Sequence, residues 1–162
     1  MGANESEAKT MEIQRARPED APFVRRIAED AYRPYIRRIG RKPAPMVADF
    51  PALIAAGEVW TASEHTEIMG FVVLRDRAES LHVENVAVAP ERHGLGVGKA
   101  LLTFAEEEAA RRRLERLDLY TNARMRENLA FYPALGWVEV DRRTEDGFER
   151  VYFEKPTPVR TS

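Results

Sequence analysis

Between Ala89 and Leu102 the chain reads APERHGLGVGKALL, with Gly94, Gly96 and Gly98 at every second position, then Lys99 and a run of helix formers. The β-rich segment LHVENVAV precedes it. A strand, a glycine turn and a helix N-terminus in that order make an anion site. The first-turn N–H groups have no intrahelical partner, and the helix dipole favours negative charge there. Glycine lets backbone approach closely and take positive φ. A tight strand-to-helix turn without any ligand would use the same residues. The third glycine and Lys99 tilt the reading towards a phosphate.

Two common phosphate motifs do not fit. A nucleotide P-loop has four residues between its glycines and a Ser or Thr after its lysine. Here three residues separate Gly94 from Gly98, and Ala100 follows Lys99. A dinucleotide fingerprint, Gly-x-Gly-x-x-Gly, would end on Lys99 or Leu101 instead of glycine.

Composition narrows the field. The length of 162 residues fits one domain with a sizeable core. A net charge of −2 gives no global basic field for nucleic acid, so no nucleic-acid partner is expected. The chain has no cysteine, which excludes disulfides, thiolate catalysis and an acyl-cysteine intermediate. Three histidines, His65, His82 and His93, are scattered, and no metal is expected. No apolar run reaches membrane-spanning length, so a cytoplasmic protein without a membrane partner is expected. Residues 1–10 read as a disordered tail, 11–155 as one domain and 156–162 as a C-terminal tail. The Met1-Gly2…Ser6 and Asn4-Glu5-Ser6 patterns are set aside as acylation and glycosylation signals, since Glu5 and Glu7 oppose membrane attachment and nothing marks secretion.

Periodicity gives the elements. Met11 to Arg15 suits a strand, and Pro18 the first turn of a helix carrying Phe23, Val24, Ile27, Ala28 and Ala31. A second helix is predicted over Met46 to Ala56, stopped by Gly57. Strands follow at 59–63, 68–75 and 81–88. The helix after the glycines runs roughly four turns. It buries Val97, Leu101, Phe104 and Ala105, with Glu106 to Glu108 and Arg111 to Arg113 turned to water. A strand over 117–120, a helix over 127–135, and a hairpin of 138–140 with 151–153 around Glu145-Asp146-Gly147 complete the order β-α-α-β-β-β-α-β-α-β-β. The fold class is α/β (α+β), a mixed sheet with helices on its faces.

The glycine stretch resembles motif A of the GNAT superfamily of acetyl-CoA dependent N-acetyltransferases, (Arg/Gln)-x-x-Gly-x-(Gly/Ala), at His93, Gly96 and Gly98. His93 departs from the usual Arg or Gln. The stretch LYTNARMRENLAFYPALGW, residues 119 to 137, resembles the last motif of that family. The order of elements also resembles that family from about Met11 to Lys155, so the resemblance covers nearly the whole chain. The resemblance implies a GNAT fold, a mixed and mostly antiparallel sheet of about seven strands. It implies direct transfer of an acetyl group from acetyl-CoA to a primary amine of a small molecule or peptide. It also admits a homodimer.

Site residues follow from that resemblance. The pyrophosphate is expected on the backbone of His93, Gly94, Leu95, Gly96, Val97, Gly98 and Lys99. The pantetheine arm is expected along Val86, Ala87 and Val88, as an added strand would lie, with Asn122 and Asn128 also at the coenzyme. Tyr132 matches the tyrosine beside the coenzyme sulfur. By spacing alone it reads equally as a core tyrosine next to Phe131. Strand alternation groups His82, Glu84, Val86 and Val88 on one face, and Val83, Asn85 and Ala87 on the other. Glu84, set among valines, is the candidate base and His82 the second. Asn85 takes the position if a bulge shifts the register. On the acceptor side Tyr32, Tyr35, Arg38, Arg41 and Asp49 could contact substrate, though the arginines read first as a solvated face. A non-catalytic acyl-CoA sensor is the alternative to an enzyme.

Overall fold

The computed structural model describes residues 11–159. The assignment of residues 1–10 as a tail lies outside them, as do residues 160–162 of the expected C-terminal tail.

Seven strands form one sheet in the order β1-β2-β3-β4-β5-β7-β6. They are β1 Met11–Arg15, β2 Val59–Glu64, β3 Glu67–Asp76, β4 Ser80–Val88, β5 Arg116–Asn122, β6 Val138–Glu145 and β7 Phe148–Pro156. Every pairing is antiparallel except β4 with β5. The helices are α1 Ala21–Tyr32, α2 Ile36–Ile39, α3 Phe50–Ala55, α4 Val97–Arg111 and α5 Arg126–Ala134.

Each sheet face has its own core. Leu101, Leu102 and Ala105 of α4 and Tyr132 of α5 pack on Val72, Leu81, Val83, Leu117, Leu119, Val151 and Phe153. Val24, Ile27 and Ala28 of α1, with Met46, Phe50 and Ile54, pack on Val59, Phe71, Val73 and Ala87. Gly70 lets the first layer close. A Cβ there would stand 2.8 Å from the Ala87 carbonyl oxygen and 3.1 Å from Val97 Cγ1.

Three details depart from expectation. The predicted helix over 46–56 is two pieces, a 3-10 turn at Ala44–Val47 and α3. Ala48 is extended between them, and the Asp49 side chain accepts from the Ala52 N–H at 3.1 Å to cap α3. Glu108 does not face water. It is 9% exposed, because Arg111 and Arg112 close over it. The last hairpin is longer than its apolar cores suggested. Asp146 and Gly147, both at positive φ, make the two-residue turn that matches strand twist. Strand β7 runs to Pro156, and the Thr157 hydroxyl donates to the Leu114 carbonyl at 2.7 Å, so the start of the expected tail is docked.

Candidate active site

Strands β4 and β5 pair at only three positions, Ser80–Arg116, Leu81–Leu117 and His82–Asp118. Beyond His82 they separate, and β4 continues six residues to Val88 without a partner on that side. The cleft left behind holds a cavity of about 210 Å3. Leu119 and Tyr132, from one core, and Tyr32, from the other, share its wall with Tyr120 and Arg150. The cavity therefore passes through the sheet.

Backbone polarity in the cleft follows from the β3–β4 register. The Ala89 N–H donates to the Met69 carbonyl at 2.8 Å. Counting back along the ladder, Phe71–Ala87 and Val73–Asn85 are then the hydrogen-bonded pairs, and Gly70–Val88 and Val72–Val86 are not. The N–H and C=O groups of Val86 and Val88 consequently point away from β3 and into the cleft. Ala87 differs from its neighbours here. Its backbone bonds to β3, and its side chain packs in the α1 core.

A bulge corrects the face assignment. Val73 pairs with Asn85 and Leu74 with Val83, so Glu84 is the extra residue. Parity flips across it. Leu81, Val83, Val86 and Val88 lie on the α4 side, whereas His82, Asn85 and Ala87 lie on the other. Glu84 lines the cavity beside Asn85. It does not sit among valines, because the Arg75 Nη1 group donates to both of its oxygens at 3.3 Å. Arg75 also donates to Glu58 at 3.2 Å. These two carboxylates hold the Arg75 guanidinium above its usual value.

Asn85 is locked. Its Oδ1 accepts from the Tyr32 hydroxyl at 2.7 Å, and its Nδ2 donates to the Pro45 carbonyl at 3.0 Å. It thereby ties the 3-10 turn at Ala44–Val47 to the sheet. Burial pushes the Tyr32 phenol up, with the nearby Tyr132 adding to the effect. His82 is 2% exposed and is not part of the cavity wall. Its Nδ1 lies 2.5 Å from Asp118 Oδ1, its ring stacks on Tyr120 at 5.8 Å, and its Nε2 is buried without a partner among the described residues. Burial works to raise the Asp118 carboxyl. Hydrogen bonds from His82 and Ser80 and the charge of Arg77 outweigh it and hold Asp118 below its ordinary value.

Tyr132 lies in α5, 6.0 Å from Trp137 and 5.7 Å from Phe153 between ring centroids, and lines the cavity. Its ring is buried in the core, and the residue is also part of the cavity wall. Burial, then the neighbouring Tyr35, pushes its phenol up, so it stays protonated at neutral pH. Asn128, one turn earlier, donates to Thr121 Oγ1 at 3.0 Å. Asn122 Oδ1 accepts from the Arg124 N–H at 2.8 Å, which fixes the turn into α5. Both asparagines line the cavity.

At the far end of β4, a 3-10 turn at Pro90–Arg92 leads into the glycine loop. Gly94 and Gly96 have φ of +82° and +81°. Gly96 is the N-cap of α4 and offers no side chain to the first-turn amides. Those N–H groups are left for an external acceptor. His93, Leu95 and Lys99 are exposed around the loop, and Val97 anchors it in the core. A Cβ on Gly98 would stand 3.6 Å from Val88 Cγ2 and 3.7 Å from Phe131 Cζ, so loop, β4 and α5 meet there.

The other acceptor-side candidates have partners. Tyr35 and Arg38 bond to Glu127 at 3.1 and 2.9 Å. Arg41 bonds the Asp146 carbonyl and stacks on Phe148 at 3.6 Å, pinning the β6–β7 turn. Tyr32 lines the cavity; Tyr35, Arg38, Arg41 and Asp49 do not. Sequence reasoning passed over Arg75, Tyr120 and Arg150. Alternation along β5 and β7 held the signal for the last two. Leu117, Leu119, Val151 and Phe153 are core residues, which turns Tyr120 and Arg150 to the opposite face. That signal needs β7 placed beside β5, and chain order hides this.

A sequence model of the acetyltransferase (GNAT) family matches residues 21–137, more than half of the chain. The chain belongs to that family, and it is an acetyltransferase. Among solved structures, Ard1 from Thermoplasma volcanium superposes with a TM-score of 0.77 at 16% identity, covering 93% of this chain and 99% of that one. The PaiA N-acetyltransferase from Thermoplasma acidophilum, in complex with coenzyme A, gives 0.75 at 18%, covering 90% and 98%. Nourseothricin acetyltransferase gives 0.58 at 29% identity, covering 62% of this chain; the match spans 65% of that enzyme's length. No curated protein matches. No helix among the described residues is long and apolar enough to cross a membrane.

Proposed function

We propose that the protein transfers the acetyl group of acetyl-CoA to a primary amine by direct attack. The observation that carries this reading is the continuity of three features. The uncapped first turn of α4 follows β4, the Val86 and Val88 backbone groups line the cleft, and the cleft leads to a cavity bearing both a phenol and a carboxylate. The α4 amides and the glycine loop suit the pyrophosphate. The open edge of β4 suits the amides of the pantetheine arm. The bound complex of PaiA with coenzyme A supports the same ligand class.

In this reading the amine reaches the thioester carbonyl from the α1 side of the sheet. Glu84, directly or through water, takes the proton that an ammonium must lose before it can attack. The new bond joins the amine nitrogen to the acetyl carbon, and the carbon–sulfur bond breaks. Tyr132 gives its proton to the departing thiolate and is reprotonated by the proton that the new amide nitrogen sheds. Backbone N–H groups on the open edge of β4 are the donors at hand for the developing oxyanion. Tyr32 and Asn85 hold the wall and take no proton.

The first test is calorimetric titration with acetyl-CoA, ATP and NAD, followed by thiol release over a panel of amines. Binding of acetyl-CoA alone, with amine-dependent release of coenzyme A, is expected. No acetyl-CoA binding would refute the reading, and binding with no turnover on any amine would replace it with an acyl-CoA sensor.

A further inference from the structure

Arg150 has no role in the steps above. It lines the cavity from β7, and its side chain is only 11% exposed. Its guanidinium lies 4.4 Å from the Tyr120 ring centroid and 5.6 Å from that of Phe148. Aromatic faces ease the charge but leave the in-plane N–H donors free. Its one ion-pair partner among the described residues is Asp146, 3.8 Å away and 84% exposed. A cation withdrawn this far from water needs an acceptor in its own plane. The other arginine on the cavity wall, Arg75, is already held by Glu58 and Glu84.

We infer that Arg150 binds an oxyanion carried by the acceptor, so that the substrate is a small amino acid-like molecule with an amine and a carboxylate or phosphonate. This rests on the acetyl-transfer reading and names its substrate class. The cavity is polarised for such a molecule. Glu84 offers a carboxylate to the amine, and Arg150 offers the fork of donors that a carboxylate accepts in pairs. Its size favours a small molecule over a folded protein surface. Two walls limit it, the Ala44–Val47 turn tied down through Asn85 and Phe148 held under Arg41.

The test measures kcat/KM by thiol release for the full chain and for Arg150→Gln. The acceptors are α-amino acids with their α-amides, aminoalkylphosphonates with their neutral diesters, and plain alkylamines. The expected result is a preference of about 10- to 100-fold for the oxyanion-bearing member of a pair. Arg150→Gln should bring that ratio to within about 2-fold, with Arg150→Lys recovering part of it and acetyl-CoA affinity unchanged in both. The carboxylate and phosphonate arms identify which oxyanion is read. Equal or better use of the neutral members overturns the inference, as does a ratio that survives Arg150→Gln. Acetyl-CoA binding with no panel member used also overturns it and leaves acetyl transfer standing. Failure of the native chain to bind acetyl-CoA overturns both.

Discussion

The Tyr32 hydroxyl lies 2.7 Å from Asn85 Oδ1 and 3.1 Å from the Val86 carbonyl oxygen. One phenol at the end of α1 thus bridges a locked side chain and the open strand edge. Tyr32→Phe keeps the ring and strands the buried Asn85 oxygen. A loss of about 1–2 kcal/mol is expected, read as a lower urea midpoint at constant m-value. An unchanged midpoint would show that the bond contributes nothing net.

Tyr132→Phe should lower kcat by about 10²- to 10⁴-fold while acetyl-CoA affinity stays within about 3-fold. Because burial raises the phenol above its ordinary 10.0, Tyr132 does not titrate in the working range. The residual activity of the variant should therefore keep the alkaline limb of the native pH–rate profile. Near-native kcat would remove Tyr132 as the acid.

Glu84→Gln should lower kcat/KM about 10- to 100-fold with coenzyme binding intact. The substitution also leaves Arg75 with Glu58 as its remaining carboxylate partner. If Glu84 only holds Arg75, Arg75→Met will cost as much activity as Glu84→Gln. If Glu84 is the base, the glutamine variant will be the slower of the two.

Gly96→Ala places a side chain at φ +81° and strains the start of α4 by about 1–3 kcal/mol. Acetyl-CoA affinity should drop at least about 10-fold as the first-turn amides shift. Gly98→Ala meets only ordinary contact distances, so stability should hold within about 0.5 kcal/mol. Equal melting temperatures for the two variants would contradict this.

Asp118 contributes to the acid dependence of stability. Its folded value is depressed, so its contribution is present above the ordinary value of 3.8 and is lost as pH falls through the folded value. Urea midpoints of the native protein should fall as the pH drops below the ordinary carboxyl value of 3.8. Asp118→Asn should be less stable at pH 7 and show a shallower fall. Parallel curves would exclude the His82–Asp118 pair as a source of that dependence.

Much of the fold was legible because its signals are local. Glycines that need positive φ, apolar residues at period two or four, and Pro and Gly at element ends are written in single residues and near neighbours. Thus strands β1 to β4, the glycine loop and α4 fell close to their predicted places. The 46–56 helix broke because Asp49 caps a new helix where propensity alone ran on. The reach of β6 and β7 was missed because their ends, rich in charge, gain their partners only across the sheet.

The sequence by itself determined the sheet-and-helix order, the anion-ready start of α4 and the presence of a tyrosine one turn after Asn128. Tertiary structure alone decided which of those groups meet. The bulge at Glu84 put His82 and Asn85, expected on opposite faces, on the same one, because one extra residue on a strand inverts every side chain beyond it. The insertion of β7 beside β5 set Arg150 over Tyr120, a pairing between residues thirty positions apart that no local pattern records. Local chemistry chooses elements, but long-range pairing chooses neighbours, and an active site is made of neighbours.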